Sequence, residues 1–325
     1  MPVTKFTNLD FDQIKTQIKD YLRANSNFTD FDFEGSNFSV LIDTLAYNTY
    51  ISAFNSNLVV NESFLDSATL RENVVSLARN IGYVPRSKTA SRASVSFDVT
   101  ANSTSTEIRL QPGLVCVGRS NDSDVVFSIS EEIVASTTVT SGIATASFGS
   151  VSSPIDVLEG TFLTSQFVVD GSLDQRFILD NANIDTSSIV AYVGSPGIRG
   201  KQYKLVDNIV GISSISDTYL IQEVQDERYE LLFGDGIFGR KPENGAVITV
   251  QYVVTSGSEG NGPSHFNFAG SFLGDAGQVI TPSFTPTINT IAPAANGGDI
   301  ESIDSIKYFA PRLYSSQYRA VTARD

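Results

Sequence analysis

Apolar residues recur with two different periods along this chain, and the change of period divides it into parts. From about Asp10 to Lys88 they recur every three or four positions, which predicts amphipathic helices. From about Ala90 they alternate with polar residues in short runs separated by Asn, Ser, Gly and Pro, which predicts strands. Helical spacing returns between Ile300 and Tyr314. The pattern predicts an α+β protein: an N-terminal helical segment, then mainly antiparallel β domains, with a helix returning at the C-terminus.

Two of the predicted helices have large apolar faces. The first carries a single apolar stripe, formed by Phe11, Ile14, Ile18 and Leu22. The second is capped near Ser36 and has a broader apolar face, formed by Phe38, Leu41, Leu45, Ile51, Phe54 and Leu58. Apolar faces on both sides of this helix favour packing against another chain. The predicted interface residues are Phe11, Ile14, Ile18, Leu22, Leu41, Leu45 and Phe54.

Turn and cap residues place the ends of a third helix. Thr69 and Glu72 fit a capping box, in which each side chain binds a backbone N–H of the first turn. Gly82 is expected to end this helix, and Pro85 to prevent its resumption. Before the second helix, three aromatic residues interspersed with Asp and Thr predict an extended linker, whose rings enter a core of this chain or dock into another subunit: Phe28, Phe31 and Phe33.

Strand-like runs follow one another without long helical patterns between them, which favours an antiparallel sheet or sandwich over βαβ units. Residues beyond Gly260 become rich in Gly, Pro and Thr, which predicts little regular structure. The predicted divisions are a helical region with its aromatic linker at 1–88, a β-rich subdomain at 89–158, a β core at 159–258, a Gly/Pro-rich excursion at 259–298, and the start of a C-terminal helical region at 299–325.

Residues 233–240 contain the spacing Gly-x-Gly-x-x-Gly, which also occurs in dinucleotide sites. Such a site requires a helix directly after the glycines, because the helix N-terminus binds the pyrophosphate. Here a turn follows from Pro242 to Gly245, and then a strand-like run from Ala246 to Val254. The glycines are therefore expected to link strand to strand. Asp235 is expected to close the turn by binding backbone N–H groups, since the acidic spacing of a calcium loop is missing.

Several segments match a known family in order and spacing. The central ones are 229–236, 242–245, 250–252 and 257–262, and later ones are 296–302 and 319–325. Together they resemble the signature of the baseplate J-like family, whose members are baseplate wedge subunits of contractile-tailed bacteriophages. N-terminal segments are similar to the wedge protein of T-even-like phages and their cyanophage relatives: 30–36, 45–49, 62–64 and 70–88. The matched positions, for which a structural role is expected, are Gly234, Asp235, Gly236, Gly239, Pro242, Gly245, Tyr252, Gly257, Gly260, Asn261, Gly297, Gly298 and Glu301.

The resemblance implies a structural virion protein of the tail baseplate, assembled in the host cytoplasm. Its partners would be other wedge proteins and a second copy of itself, and it would take part in the rearrangement of the baseplate on contraction. In this family the last matched segment opens a helix that leads into a further domain. The chain is therefore expected to be an N-terminal portion or a short family member.

Charge and composition restrict the possible partners. The chain has 36 Asp and Glu against 22 Lys and Arg, a net charge of −14, and 41% of its residues are hydrophobic. Surfaces that bind nucleic acid or anionic membranes are rich in Lys and Arg, so neither partner is expected, whereas basic or neutral proteins are. The single cysteine, Cys116, lies in an apolar run typical of a core. The sequence has no apolar signal core at its N-terminus and no run of ~18 apolar residues, so assembly in a cytoplasm is expected.

Residues suited to catalysis are few. The only histidine, His265, lies among aromatic residues in a predicted loop, where a surface position is more common than a ligand role. The acidic pairs Asp226-Glu227 and Glu131-Glu132 flank strand-like runs, and adjacent strand residues point to opposite faces. No zinc-type Cys/His cluster and no serine elbow occur. We expect no enzymatic activity, no cofactor, no metal and no small-molecule substrate.

Two other classes of function remain open at this point. A β-rich phage or secreted adhesin that binds cell-surface glycan fits the richness in Ser, Thr and Asn, whereas the absence of tryptophan and of a signal peptide disfavours it. A carbohydrate-active enzyme with Asp226 and Glu227 as its carboxylates is the third class.

Overall fold

The computed structural model describes residues 10–25, 36–120, 123–172, 174–198, 200–206 and 211–316. They belong to two compact units: a helical unit, drawn from Met1–Val84 and Ser302–Asp325, and a β unit, Pro85–Glu301. Helices towards both ends and largely antiparallel sheets between them confirm the predicted α+β class. The predicted linker with Phe28, Phe31 and Phe33 lies outside the described residues, as does the matched segment 319–325.

The described part of the helical unit consists of α1 (Phe11–Asn25), α2 (Asn37–Glu62), α3 (Arg71–Asn80) and α4 (Ile303–Ser315). α1 packs along α2, and α3 packs against α4. Small and β-branched side chains form a core at the second contact: Ala68, Val74, Val75, Ala78, Ile306 and Ala310. Residues 299–325 are predicted to be the start of a C-terminal helical region. In the structure α4 contributes Ile306 and Ala310 to the core at α3. Its buried positions are spaced by four residues and face α3.

The start of α2 follows the prediction, and the start of α3 does not. Ser36 caps α2, since its Oγ accepts a hydrogen bond from the N–H of Ser39 at 3.0 Å. The capping box predicted at Thr69 is wrong. Leu70 precedes α3, and Thr69 Oγ1 donates to Glu62 Oε1 at 2.7 Å instead. The pattern of α3 alone could not indicate a carboxylate supplied from the end of α2.

Glu62 is the last residue of α2 and caps α3. Its carboxylate accepts hydrogen bonds from the N–H groups of Thr69 (2.8 Å) and Leu70 (3.2 Å), and from the side-chain amide of Asn73 (2.8 Å). Partial burial raises the pKa of Glu62, but the hydrogen bonds from Thr69 and Asn73 outweigh it and hold the pKa below its ordinary value. The ionised carboxylate therefore stabilises the connection between the two helices.

Replacing Glu62 with glutamine should loosen the start of α3 at neutral pH and have less effect in acid. Loss of a capping acceptor costs about 0.5–2 kcal/mol. Because the folded-state pKa is lowered, the stabilisation is complete above the unfolded-state pKa of about 4.3 and is lost as the pH falls through the lower folded-state pKa. Amide hydrogen exchange at Thr69 and Leu70, compared with wild type from pH ~7 to ~3, should show this difference shrinking. Glu72→Gln, in the exposed first turn of α3, is the control, and an equal effect there would contradict the cap.

The end of α3 matches the prediction. Gly82 has a φ of +83°, and its N–H donates to the carbonyl of Arg79 at 2.9 Å. The N–H of Tyr83 donates to the carbonyl of Ala78 at 3.0 Å. These two bonds form a Schellman motif, in which glycine supplies the left-handed residue that ends the helix.

The strands of the β unit are β1 (Arg92–Asn102), β2 (Glu107–Leu110), β3 (Gly113–Ser120), β4 (Ser123–Ile129), β5 (Ile133–Ser136), β6 (Thr138–Thr140), β7 (Ile143–Phe148), β8 (Ile155–Glu159), β9 (Thr161–Val168), β10 (Phe177–Ile178), β11 (Ile184–Gly194), β12 (Lys201–Leu205), β13 (Thr218–Glu223), β14 (Tyr229–Phe233), β15 (Val247–Val254), β16 (Phe266–Phe268), β17 (Phe272–Gly274), β18 (Val279–Ile280) and β19 (Ile288–Ala295).

The first part of the β unit combines two sheets over one core. The larger has the strand order β16-β3-β4-β8-β1-β7-β6, with β19 also paired to β1, and the smaller has the order β18-β17-β2-β5. Aromatic side chains fill the core, and the rings of Phe97 and Phe148 stack 5.3 Å apart. Cys116 belongs to this core as predicted. Burial raises the pKa of its thiol to about 12, so the thiol stays protonated at neutral pH.

The second part of the β unit is a seven-stranded sheet with the strand order β10-β14-β13-β12-β11-β15-β9. Its neighbouring strands are antiparallel except β12 and β13, which are parallel. The core on one face of this sheet includes Leu179, Tyr219 and Leu231, and the buried hydroxyl of Tyr219 donates to the carbonyl of Ile189 at 2.9 Å.

Residues 259–298 contain more regular structure than the sequence predicts. The prediction of little regular structure is wrong, because β16, β17, β18 and β19 all lie in this segment. Three of these strands pair with strands formed much earlier in the chain: β16 with β3, β17 with β2, and β19 with β1. The backbone hydrogen bonds of these three strands come from the distant partner strands. The local composition, rich in Gly and Pro, therefore does not indicate that they are strands.

Candidate functional site

The glycine-rich turn lies between β14 and β15, so it links strand to strand as predicted. Asp235 Oδ1 accepts hydrogen bonds from the N–H groups of Phe238 and Ile237, each at 2.8 Å. These bonds close the turn and hold the pKa of Asp235 below its ordinary value. Gly234 lies so close to Gly239 that a β carbon on Gly234 would be 2.2 Å from the Gly239 carbonyl carbon. The turn-closing role predicted for Asp235 is confirmed.

The other matched residues of this region also have structural contacts. Gly236, Gly239 and Gly245 have positive φ, and Pro242 lies between the last two. Tyr252, buried on β15, donates its hydroxyl proton to Asn181 Oδ1 at 2.7 Å. These contacts hold the turns and the sheet core together.

Three segments far apart in sequence meet where the chain enters and leaves the β unit. We name them the clasp: residues 86–91, 257–261 and 296–301. Thr89 and Gly298 exchange two backbone hydrogen bonds, at 2.9 and 3.0 Å. The N–H of Glu301 donates to the carbonyl of Arg86 at 3.1 Å, and the buried Glu301 carboxylate accepts from the N–H of Arg86 at 3.0 Å. The incoming and outgoing segments are therefore paired side by side.

The middle clasp segment binds the outgoing one through side chains. Asn261 Nδ2 donates to the carbonyl of Gly297 at 2.9 Å, and Asn261 Oδ1 accepts from the N–H of Gly297 at 2.8 Å. Asp299 accepts hydrogen bonds from Ser258 Oγ at 2.6 Å and from the Ser258 N–H at 3.2 Å, which lower the pKa of Asp299. A β carbon on Gly257 would lie 2.9 Å from a backbone carbonyl oxygen of the outgoing segment. The matched residues from two distant segments thus meet in one cluster.

Two buried carboxylates that sequence reasoning missed lie beside the clasp. Glu159 lies under Gly260, where a β carbon would be 2.7 Å from Glu159 Cγ. Asp185 accepts hydrogen bonds from the N–H groups of Ala90 and Ser187, each at 2.9 Å. The bond to Ser187, two residues on, is an Asx turn that the sequence could have indicated. The bond to Ala90 has no local signal.

The residues considered above for catalysis do not belong to the clasp. His265 is exposed, with Nδ1 2.8 Å from the carbonyl oxygen of Ser264. Asp226 and Glu227 occupy the turn between β13 and β14 with φ of 60° and 56°. Glu132 contacts Arg109 at 3.3 Å in an exposed ion pair. Among the described ranges, His, Cys, Asp and Glu side chains form no group of three that could hold a metal ion.

The predicted interface residues fall into two groups. On α1, Ile14 is buried, which leaves it unavailable to a partner, and three are half-buried: Phe11, Ile18 and Leu22. On α2, Leu41, Leu45 and Phe54 are 53%, 49% and 47% exposed. The structure therefore brings the α1 residues towards this chain's own packing and leaves the α2 residues accessible.

α2 exposes many large apolar side chains, and four of its five buried residues are small or polar, whereas the usual surface helix buries its large apolar side chains. Its buried residues are Ser39, Ile42, Ala46, Asn57 and Asn61. The exposed apolar residues form two stripes, one on each side of the buried positions, which we name the α2 outer stripes: Phe38, Leu41, Leu45 and Val59 in one, and Val40, Tyr47, Phe54 and Leu58 in the other. Between Asp43 and Glu62 the helix has no charged residue. Exposed large apolar side chains grouped on one helix are typical of surfaces that contact another protein. No described helix is long and apolar enough to cross a membrane.

Two comparisons connect this chain to known proteins. Residues 10–83 match the family described as "Baseplate wedge protein gp6-like, helical domain". Over 98% of its length, the chain aligns with "Baseplate wedge protein gp6" of Enterobacteria phage T4 at 29% identity over 341 residues. This chain is similar to baseplate wedge proteins.

The comparisons support the predicted resemblance at the level of the wedge proteins. The alignment covers 49% of the T4 protein, so the chain spans about half the length of that relative. The matched helical domain contains α1, α2 and α3. The α2 outer stripes therefore lie within the matched residues. Membership of the baseplate J-like family and a cyanophage-type relationship are tested by neither comparison and stay predictions.

Proposed function

We propose that this chain acts as a structural virion protein, a subunit of the baseplate wedge in a contractile bacteriophage tail. The observation that carries this proposal is the similarity to a T4 wedge protein along 98% of the chain. The match of residues 10–83 to a wedge helical domain agrees with it. The contacts of the clasp and the glycine turn support a role for the matched residues in holding the fold.

In this proposal the α2 outer stripes bind other wedge proteins and a second copy of this chain. Burial of a leucine or phenylalanine side chain contributes about 1.5–3 kcal/mol, so a few of them supply a strong contact. The net charge of −14 opposes self-association, but α2 is uncharged between Asp43 and Glu62 and so brings few like charges together.

During contraction, a baseplate subunit must exchange contacts while its own fold survives. The clasp suits this task, because it pairs the incoming and outgoing segments of the β unit by bonds through Thr89, Gly298 and Glu301. If a force pulls on either end of this unit, the hydrogen bonds of the clasp bear it before the hydrogen bonds of the sheets do. The rearranging contacts would be those of the helices.

The location is tested by mass spectrometry of the phage that encodes this chain. Its peptides should occur in purified virions and in isolated baseplates, in an amount comparable with other wedge subunits. A chain found in infected cells and absent from purified particles would contradict a structural virion role.

Polar substitutions on α2 should weaken self-association. The double change Leu41→Gln and Leu45→Gln removes two exposed leucines while keeping good helix formers, so we expect the dissociation constant to rise about 10-fold or more. The measurement is the mass of the full chain by light scattering over a range of concentrations. Thr16→Gln, exposed on α1 and outside both stripes, is the control. Equal masses for wild type and the double variant at every concentration would exclude this stripe as the contact.

A further inference from the structure

β9 is the last strand of the seven-stranded sheet, and its outer side has no paired strand in the part of the chain that the structure describes. The other strands that end the three strand orders, β5, β6, β10, β16 and β18, are each two to four residues long. Short edge strands are one way in which proteins prevent pairing with other chains. β9 has eight residues and lacks this protection.

β9 also lacks the charges, prolines and bulges that protect many edge strands. Its sequence, Thr-Phe-Leu-Thr-Ser-Gln-Phe-Val, contains no charged residue, no proline and no glycine. Its pairing with β15 is continuous, without a bulge. Charges, prolines and bulges are the devices that usually block addition of a strand. The start of β9 lies against β3 and β4, and the rest of its edge is open to a strand from another molecule.

The backbone hydrogen bonds show which residues face the open edge. The N–H of Val169 donates to the carbonyl of Ala246 at 2.9 Å, so Val169 faces the β15 side. Alternate residues of a strand face the same neighbour, so the residues that face outward are Phe162, Thr164, Gln166 and Val168. Contacts at both ends agree. The N–H of Gly160 donates to the carbonyl of Val126 at 2.9 Å, and the carbonyl of Val168 accepts from Gln175 Nε2 at 2.7 Å.

We propose that β9 pairs with β9 of a second copy of this chain, antiparallel and centred on Ser165. This register places Thr164 opposite the partner's Gln166, and Phe162 opposite the partner's Val168. All four outward-facing residues then lie opposite each other, and only the carbonyl of Val168 is already occupied. The two seven-stranded sheets become one continuous sheet across the two copies.

The side chains fit this register on both faces of the sheet. Leu163 and Phe167 pack against the core of their own sheet, and they lie opposite each other in the pairing. Thr164 and Gln166 are exposed polar residues on the other face, and they also lie opposite each other. Each cross-strand pair therefore joins two apolar side chains or two polar side chains, and such matching stabilises the pair. No pair places like charges together, although the chain carries −14 overall.

One pair of strands is a small interface. Stable complexes bury about 1,200–2,000 Å² in total, which a single strand pair does not reach. We therefore expect this contact to form at high concentration or within an assembly that holds two copies together. It uses β9 alone and is independent of the α2 outer stripes.

Cysteine substitutions in the full chain test both the contact and its register. Ser165→Cys puts the new thiol opposite itself in a non-hydrogen-bonded pair, where β carbons are about 4.5–5.5 Å apart, close to disulfide range. Thr164→Cys puts its thiol diagonally across from its counterpart, about 7–8 Å away, which is too far. Under a mild oxidant, Ser165→Cys should form covalent dimer ~10-fold or more faster than Thr164→Cys. The native Cys116 is fully buried and serves in both variants as an unreactive background.

The experiment is done in the Leu41→Gln and Leu45→Gln background, so that failure of the α2 contact and failure of the β9 contact are seen separately. Equal rates of dimer formation for the two cysteine variants, or no dimer from Ser165→Cys, would overturn the proposal. Hydrogen exchange on the chain without the added cysteine gives a second measurement. The amides of Thr164, Gln166 and Val168 should exchange more slowly as protein concentration rises, and unchanged rates would also overturn the proposal.

Discussion

Replacing Gly297 with alanine should destabilise the β unit by about 3 kcal/mol, because the new β carbon has no space. It would lie 2.4 Å from the carbonyl oxygen of Gly257 and 2.9 Å from Ser91 Cβ. The first of these atoms is backbone, so the clash is relieved only if a segment of the clasp moves. That movement would also disturb the two hydrogen bonds between Gly297 and Asn261. For a unit of this size the melting temperature should fall by about 6–12 °C.

Gly298→Ala provides a matched control one residue away. A β carbon there meets no heavy atom within 4 Å, and its φ lies outside the left-handed region. The same chemical change should therefore alter the stability by less than about 0.5 kcal/mol. Thermal unfolding of both variants, with hydrogen exchange in β1 and β19 to locate the effect, is the measurement. If the two variants melted together, the clasp would not be the tightly packed element that its contacts indicate.

Replacing Asp185 with alanine should cost about 2–3 kcal/mol, because it leaves a buried donor without an acceptor. Asp185 is 1% exposed and accepts hydrogen bonds from the N–H of Ala90 and from the N–H and hydroxyl of Ser187. Ser187 is exposed, so water can replace its bonds. Ala90 is fully buried, so its N–H would remain unsatisfied. Asp185→Asn keeps one acceptor oxygen and should show a smaller loss.

Asp156→Ala is the control for Asp185. Asp156 is an exposed carboxylate on β8 that accepts one hydrogen bond, from Ser94 Oγ at 2.6 Å. Its removal should cost less than about 0.5 kcal/mol, as for most surface positions. Guanidinium unfolding of the three variants gives the comparison. A loss at Asp156 as large as the loss at Asp185 would show that burial of the acceptor is not the cause.

The helices and the glycine turn could be predicted because their signals are local. Ser36, Gly82 and Asp235 each bind backbone groups within a few residues, so the pattern around them was sufficient. The predictions failed where the partner was distant. The cap of α3 comes from the preceding helix through Glu62, and the strands of residues 259–298 depend on β1, β2 and β3.

The sequence by itself determined the order of helical and strand-rich parts, the strand-to-strand turn at the glycines, the apolar character of α2, and a resemblance to wedge proteins that both comparisons support. Only the tertiary structure decided that α4 joins the N-terminal helices, that three distant segments form the clasp, and that β9 ends a sheet with its edge open. The physical reason is the range of the interactions. Periodicity and turn chemistry act within one or two turns of backbone, whereas buried carboxylates, strand partners and exposed edges depend on which distant residues meet.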